Sequence, residues 1–338
     1  MRSFILGAAL VAATGQPAMA QIRPDQESFR ALYKELVETN TTLSEGSCTL
    51  AAERMATRMK AAGFADTELA LFSIPEKPKE GGLVAIYPGT SKKAKPILLL
   101  AHIDVVEANR ADWTRDPFTL IEEDGYFYAR GTSDDKAQAA IWIDTLIRFR
   151  QERIKSKRTI KMALTCGEET TGAFNGADWL AQNRKDLIDA EYALNEGGGG
   201  RVNPDGKRQI LAMQVGEKTV QNFMLETTNP GGHSSMPRPD NAIYALAGGV
   251  ARVGKHEFPV QFNDTTRTFF TRLAPTLPVT VGNAITTLLA NPNDAAANNI
   301  VSADPTLHST LRTTCVATML EAGHAMNALP QRARAVVN

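Results

Sequence analysis

The sequence predicts an α/β fold, a mostly parallel sheet flanked by helices, on three observations. Apolar runs at 97–102, 159–165 and 190–194 alternate with helical patterns, which is the order of a parallel sheet. The polar residues His102, Glu168, Glu169 and Glu196 fall just past the carboxyl ends of those runs, where open α/β sheets hold their ligands. From about Met213 the texture changes to long strand patterns around one helix, so a smaller α+β region follows.

Residues 1–20 stand apart. Arg2 gives a basic start, Phe4 to Ala13 is mostly apolar, and Ala18-Met19-Ala20 offers the small residues that a signal peptidase accepts. A secretory signal cleaved before Gln21 is expected, with a buried N-terminal helix as the competing reading. The domain plan is therefore 1–20 signal, 21–213 first domain and 214–338 second domain. No later segment is long and apolar enough to span a bilayer. The mature chain is expected to be periplasmic or secreted, without a membrane partner. The 338 residues carry 37 basic and 37 acidic groups, and this zero net charge offers no field for nucleic acid.

In chain order, Phe29, Leu32, Tyr33, Leu36 and Val37 recur at helical spacing after Pro24. A second helix runs from Cys48 to Ala62 and stops at Gly63. Thr67 to Ile74 and Gly82 to Tyr87 read as short strands. The run Ile97 to His102 is apolar on both faces, as a buried strand requires. It delivers His102 and Asp104 two residues apart on one face, a metal ligand with a carboxylate to orient it. Ser133-Asp134-Asp135-Lys136 precedes a helix marked by Ala137, Ala140, Ile143 and Leu146; taken alone, Ser133 or Asp134 reads as its cap. A strand at 159–165, a helix around Gly176 to Arg184 and a strand at 190–194 follow. Beyond them, Gln214 to Thr228 reads as a strand, Asn241 to Val253 as a helix, and 258–305 as a polar irregular run. Thr310 to Glu321 and Ala333 to Val337 read as strands. The glycines at 197–200 lack a dinucleotide-binding spacing.

The adjacent carboxylates Glu168 and Glu169 repel unless a proton or cation neutralises them, although a bare surface loop tolerates such a pair. Together with His102, Asp134 and Glu196 they form a nitrogen and oxygen donor set without thiolate. That set suits Zn²⁺, with Co²⁺ or Mn²⁺ as substitutes. Cys48, Cys166 and Cys315 are too few and too widely spaced for a disulfide framework or a zinc knuckle. Cys166 is expected to be an inert core residue. His256, His308 and His324 match no ligand motif.

His102-x-Asp104, the Trp113 and Asp116-Pro117-Phe118 loop, and Gly131-Thr132-Ser133-Asp134-Asp135-Lys136 together resemble the dinuclear-zinc peptidases of the M20 family. That family includes Gly-X carboxypeptidases, carnosinase-like dipeptidases, aminoacylases and succinyl-diaminopimelate desuccinylases. The resemblance implies that Asp134 bridges two metals, that His102 and Glu196 complete one site, and that Glu169 belongs to the other. It makes Glu168 the general base and Asp104 the residue that steadies His102. It gives His233, in Gly231-Gly232-His233-Ser234-Ser235, the role of a lid histidine that reaches a neighbouring subunit's oxyanion, and Asn327 a substrate contact. The second domain becomes a ferredoxin-like lid through which a homodimer forms.

The family's catalytic domain normally resumes after the lid, with a further metal-binding His. The residues up to Asn338 supply no such segment, so the resemblance implies a truncated chain with a weak second metal site and exposed apolar surface. The implied reaction is hydrolysis of an amide bond beside a free carboxylate, in a dipeptide or short peptide. Hydrolysis of N-acyl amino acids is the alternative. A chain that only binds peptide or self-associates is the alternative of another class.

Overall fold

The computed structural model describes residues 23–170 and 172–338. The expected signal segment and the start at Gln21 lie outside the described residues. The chain divides after Glu196 into two compact units, the second being Gly197–Asn338.

The first unit holds helices α1 (Pro24–Glu38) and α2 (Cys48–Ala61) and strands β1 (Leu69–Ile74), β2 (Lys77–Tyr87) and β3 (Ile97–His102). Strands β4 (Ile121–Glu123) and β5 (Tyr126–Tyr128) form a hairpin whose two-residue turn, Asp124-Gly125, takes positive φ at both positions, as such turns require. Then come α3 (Lys136–Gln151), β6 (Ile160–Thr165), α4 (Gly176–Asn183), α5 (Lys185–Ile188) and β7 (Tyr192–Leu194).

The sheet order is β1-β2-β6-β3-β7. As expected, the three strands joined by helical crossovers, β3, β6 and β7, run parallel. The sheet as a whole is mixed rather than mostly parallel. Pro75 and Glu76 alone separate β1 from β2, a connection that joins only antiparallel neighbours, and β2 then pairs with β6 antiparallel. Alternation along the strands feeds two cores. Leu83, Ala101, Met162 and Leu164 pack with Leu36, Met55 and Ile143 on the face of α1, α2 and α3. Val84, Leu98 and Ala163 pack with Leu180 and Leu187 on the face of α4 and α5.

In the second unit, β8 (Gly199–Val202) and β9 (Arg208–Ala212) form a hairpin, so Gly199 and Gly200 of the glycine run are strand. Strand β10 (Phe223–Thr228), β11 (Gly232–His233) and α6 (Ala242–Lys255) follow, and residues 214–222, expected as strand, are irregular. The run 258–305, expected as irregular, instead holds α7 (Asp264–Leu273), α8 (Val279–Ala290) and α9 (Ala295–Val301), with α10 (Pro305–Thr310) after them. The Asn and Asp residues that read as loop formers are caps. Asn263 accepts from the Thr266 N–H, Asp294 from Ala297, and Asp304 from Thr306 and Leu307. Phe270, Ile285, Leu288 and Val301 make the core of this helical group.

Strands β12 (Ala317–Ala322), β13 (Ala328–Leu329) and β14 (Arg332–Val337) end the chain. An antiparallel sheet β10-β14-β12 carries α6 against Ala333 and Ala335, the α+β arrangement expected. Thr310 belongs to α10, so the strand expected from that residue begins only at Ala317.

Cys48 and Cys166 form a disulfide across 118 residues, correcting the reading of Cys166 as an inert core thiol, and Cys315 is free. Spacing could not disclose the pair, because each cysteine reads locally as an apolar core residue.

Phe270 is fully buried in the helical group. Phe270→Ala is expected to lower the unfolding free energy of the second unit by about 3–5 kcal/mol, read from the urea midpoint of a fluorescence melt.

Candidate metal centre

Three neighbouring strand ends build the site. His102 closes β3, opposite Thr165 at the end of β6. The Ile103 N–H donates to the Thr165 carbonyl at 2.8 Å, which carries the pairing one residue further. On the other side of β3, Leu99 pairs with Leu194 of β7, so Glu196 emerges level with Ala101.

His102 and Asp104 are 3 % and 5 % exposed. The imidazole Nδ1 lies 3.1 Å from the Asp104 carbonyl oxygen and 3.5 Å from its Oδ1, which turns Nε2 toward the cluster. Nε2 is 2.9 Å from Asp134 Oδ1, 3.6 Å from Glu196 Oε2 and 3.9 Å from Glu168 Oε2. A cavity of about 90 Å³ lies here, lined by His102, Glu168, Glu196, Thr165 and Asn175 among others.

The segment before α3 is anchored so as to present Asp134. The Tyr33 hydroxyl donates to the Thr132 carbonyl at 2.6 Å, and the Arg130 N–H donates to the Pro117 carbonyl at 2.7 Å. The Arg130 guanidinium lies over the Trp113 ring, so the Trp113 and Asp116-Pro117-Phe118 loop supports this segment. Gly131 has φ +78°, and a Cβ there would overlap the Val105 side chain. The capping alternative fails, because Asp135 holds the N-cap position and makes no side-chain cap bond. Asp134 turns instead to His102.

Asp104 also serves the acidic loop. Its carboxylate accepts the Glu169 N–H at 3.0 Å and the Glu168 N–H at 3.4 Å. Burial and the charges of Asp134, Glu168 and Asp104 push the Glu169 carboxyl up, against a smaller pull from His102. Glu169 thus feels the cluster, yet the group whose ligand atoms lie within 4.8 Å of one another is His102, Asp134 and Glu196. Donors sharing one zinc ion at about 2.0–2.2 Å sit at most about 4.4 Å apart, so a small inward adjustment seats an ion among these three.

His233 and Asn327 lie in the second unit, next to one another. His233 on β11 pairs with Ala328 on β13, the Ser234 N–H donates to the Asn327 carbonyl at 2.9 Å, and both residues are exposed.

Two buried groups at the centre were not singled out from sequence, although both stand beside Asp134. Asp135 is pushed up to about 7 by burial together with Glu196 and Asp134, in spite of the neighbouring His102. Lys136 is fully buried, donates to the Thr39 carbonyl at 2.8 Å, and is lowered to about 7 by burial, against the pull of Asp104. Burial alone would depress His102. The Asp104 hydrogen bond and charge, with Glu196 and Asp135, outweigh it and raise the imidazole to about 10.

The model of peptidase family M20/M25/M40 matches residues 98–330. The chain belongs to that family. Human N-fatty-acyl-amino acid synthase/hydrolase PM20D1 is 31% identical over 258 residues, 74% of this chain and 50% of the relative. Probable carboxypeptidase S-like 2 of Dictyostelium discoideum is 31% identical over 264 residues, 76% of this chain and 50% of the relative. The M20 chain therefore spans about half the length of the curated relatives it matches. Among solved structures, the M20 metallo-carboxypeptidase Sso-CP2 of Sulfolobus solfataricus aligns with TM-score 0.59 at 18% identity, covering 91% of this chain and 70% of its own. M20 is a metal-dependent peptidase family, and the grouped His102, Asp134 and Glu196 fit that requirement.

The strongly shifted groups at the centre pull stability in opposite directions: Asp135 and His102 favour the folded protein at low pH, whereas buried Lys136, which holds its proton less tightly when folded, favours it as pH rises from about 7 toward its unfolded value of about 10.5. Asp135 and His102 both bind their proton more tightly in the folded protein than in the unfolded chain. For Asp135, stability is lost as pH rises from its unfolded value, about 4, through about 7; for His102 it is lost between about 6.5 and about 10. The melting temperature of chelator-treated protein is expected to fall from pH 5 to pH 7, where Asp135 acts unopposed, and to change little from pH 7 to pH 9, where the gain from Lys136 offsets the loss from His102; added Zn²⁺ is expected to raise it at the alkaline end. A melting temperature that does not change between pH 5 and pH 7 would refute this charge balance.

Proposed function

We propose that the chain carries the metal centre of an exported hydrolase that cleaves an amide bond beside a free carboxylate, in a dipeptide or short peptide. The observation that carries this is the meeting of His102, Asp134 and Glu196 within 4.8 Å, with Glu168 3.9 Å from the same imidazole nitrogen. His102, Asp134 and Glu196 would hold one divalent ion, and Glu169 would serve a second together with Asp134. The donor set favours Zn²⁺. When bound, the ions acidify water and polarise the scissile carbonyl.

The protein's own residues do the rest. Asp104 fixes the imidazole through Nδ1 and keeps Nε2 aimed at the cluster. Glu168, whose side chain is open to the solvent, takes a proton from the attacking water and returns it to the leaving nitrogen. His233 donates to the developing oxyanion, across the interface of a homodimer formed by the lid, and Asn327 contacts the substrate. Export is supported by the signal-like pattern at 1–20 and by the Cys48–Cys166 disulfide, a bond that persists in oxidising compartments.

A second reading, hydrolysis of N-acyl amino acids, rests on the likeness to PM20D1, an N-fatty-acyl-amino acid synthase/hydrolase. The same centre serves both, and only the pocket around the acyl or amino-terminal side differs. The kcat/KM ratio for dipeptides against N-acyl amino acids separates them: a preference for acyl substrates of about a hundredfold would replace the peptidase reading.

Glu168→Ala is expected to lower kcat about 10²–10⁴-fold and leave zinc stoichiometry unchanged, measured by steady-state kinetics and equilibrium dialysis. Equal turnover in both proteins would remove Glu168 from the chemistry. If neither protein turns over any amide yet both bind peptide, the chain is a binding module.

A further inference from the structure

We propose that the Cys48–Cys166 disulfide is a positioning device for the acidic loop, holding Gly167–Glu169 against Asp104 and so setting where the Glu168 carboxylate stands. The consequence for turnover rests on the role proposed for Glu168; the consequence for the loop does not.

Cys166 is the first residue after β6 and lies two residues before Glu168. Its carbonyl accepts the Gly176 N–H at 2.8 Å. Gly167 has φ +85°, and a Cβ there would overlap the Phe174 carbonyl, so the chain turns sharply at this point. Beyond the turn, Glu168 and Glu169 reach across to Asp104 by backbone bonds of 3.4 and 3.0 Å, the first a long one.

The disulfide closes a ring around Asp104. The Val105 N–H donates to the Thr41 carbonyl at 3.4 Å, and the Ser47 N–H donates to Asn40 at 2.9 Å, tying the residues before α2 to the segment after β3. Cys48 opens α2, where Ser47 caps the helix by accepting the Leu50 N–H at 3.1 Å. From Cys48 the bond crosses to Cys166 and returns through Glu169 to Asp104.

Against the ring opens a cavity of about 340 Å³, lined by Thr41, Cys48, Asp104, Val105, Cys166 and Gly167 among others. The Thr41 hydroxyl beside it is buried and has no hydrogen-bond partner. Side-chain packing therefore does not fill the space between the loop and the segment before α2, and the covalent bond spans it instead. Both half-cystines are buried, at 1 % and 6 % exposure, so the bond is a rigid part of this wall.

A link across 118 residues also stabilises any fold by restricting the unfolded chain, so a lower melting temperature does not test the proposal. The deciding comparison is native protein against Cys48→Ala/Cys166→Ala, read by hydrogen exchange and mass spectrometry. Amides at 167–169 are expected to exchange about tenfold faster or more in the variant, with β3 and β6 unchanged. With the substrate that the native enzyme turns over, kcat falls about ten- to a hundredfold, with KM within about twofold. Should the double variant not fold, native protein reduced with a phosphine and alkylated takes its place, with the same readouts. Exchange at 167–169 that stays at the native rate, or that rises equally across the sheet, overturns the proposal. So does a freed loop with unchanged kcat. Exchange needs no substrate, so the clamping of the loop is decided even where the hydrolase reading fails.

Discussion

The buried carboxylate of Asp104 is the interaction on which the rest of the site depends. It meets the His102 imidazole on one side and the backbone N–H groups of Glu168 and Glu169 on the other. Burial alone would favour its neutral form, yet the hydrogen bond from His102 and those from the acidic loop keep it ionised. One residue thus orients a candidate ligand, through its carbonyl and its carboxylate, and sets the path of the loop that carries the proposed base. A replacement with no side-chain acceptor would leave the loop N–H groups unpaired and the imidazole with only the backbone carbonyl of residue 104.

Charge balance follows from that arrangement. Asp104, Asp134, Asp135, Glu168, Glu169 and Glu196 gather around one imidazole, with Lys136 buried beneath. Such a cluster holds together only when protons or cations neutralise it. Protonated His102 and a half-neutralised Asp135 are one answer, and a divalent ion is the other. The two exclude each other on His102, because a nitrogen that carries a proton cannot donate its lone pair to a metal.

Much of the fold was legible because the buried strands are short and apolar on both faces. Ile97 to His102 shows this most plainly, and its parity places His102 and Asp104 together. The start of α3 was legible from Ala140, Ile143 and Leu146, and with it the place of Asp134. Three things were not. The antiparallel entry of β1 and β2 depends on which strand accepts them, and β6 does so across a long stretch of sequence. The helices α7 to α9 hid behind Asn263 and Asp294, which satisfy helix N–H groups rather than forming loops. The disulfide joins two residues that each read as core, and only the tertiary fold brings their Cα atoms to 6.0 Å. Site residues sat where local signals were strongest, and the groups that tune them, Asp135 and Lys136, reveal their role only through burial.

Register explains why residues so far apart in the chain converge. Adjacent strands lie about 4.8 Å apart, so three neighbouring carboxyl ends bring their following residues within reach of one ion. The order β6-β3-β7 puts His102 in the middle, because the chain leaves β3 for β6 and then crosses back to the far side of β3. With Leu99 level with Leu194, Glu196 stands two residues past the last ladder pair, beside the end of β3. A slip of one residue in β7 would turn the side chain of Glu196 to the opposite face. The apolar alternation of β3 and β6, which fills both cores, is therefore also what holds the candidate ligands in register. Packing and chemistry are set by the same ladder.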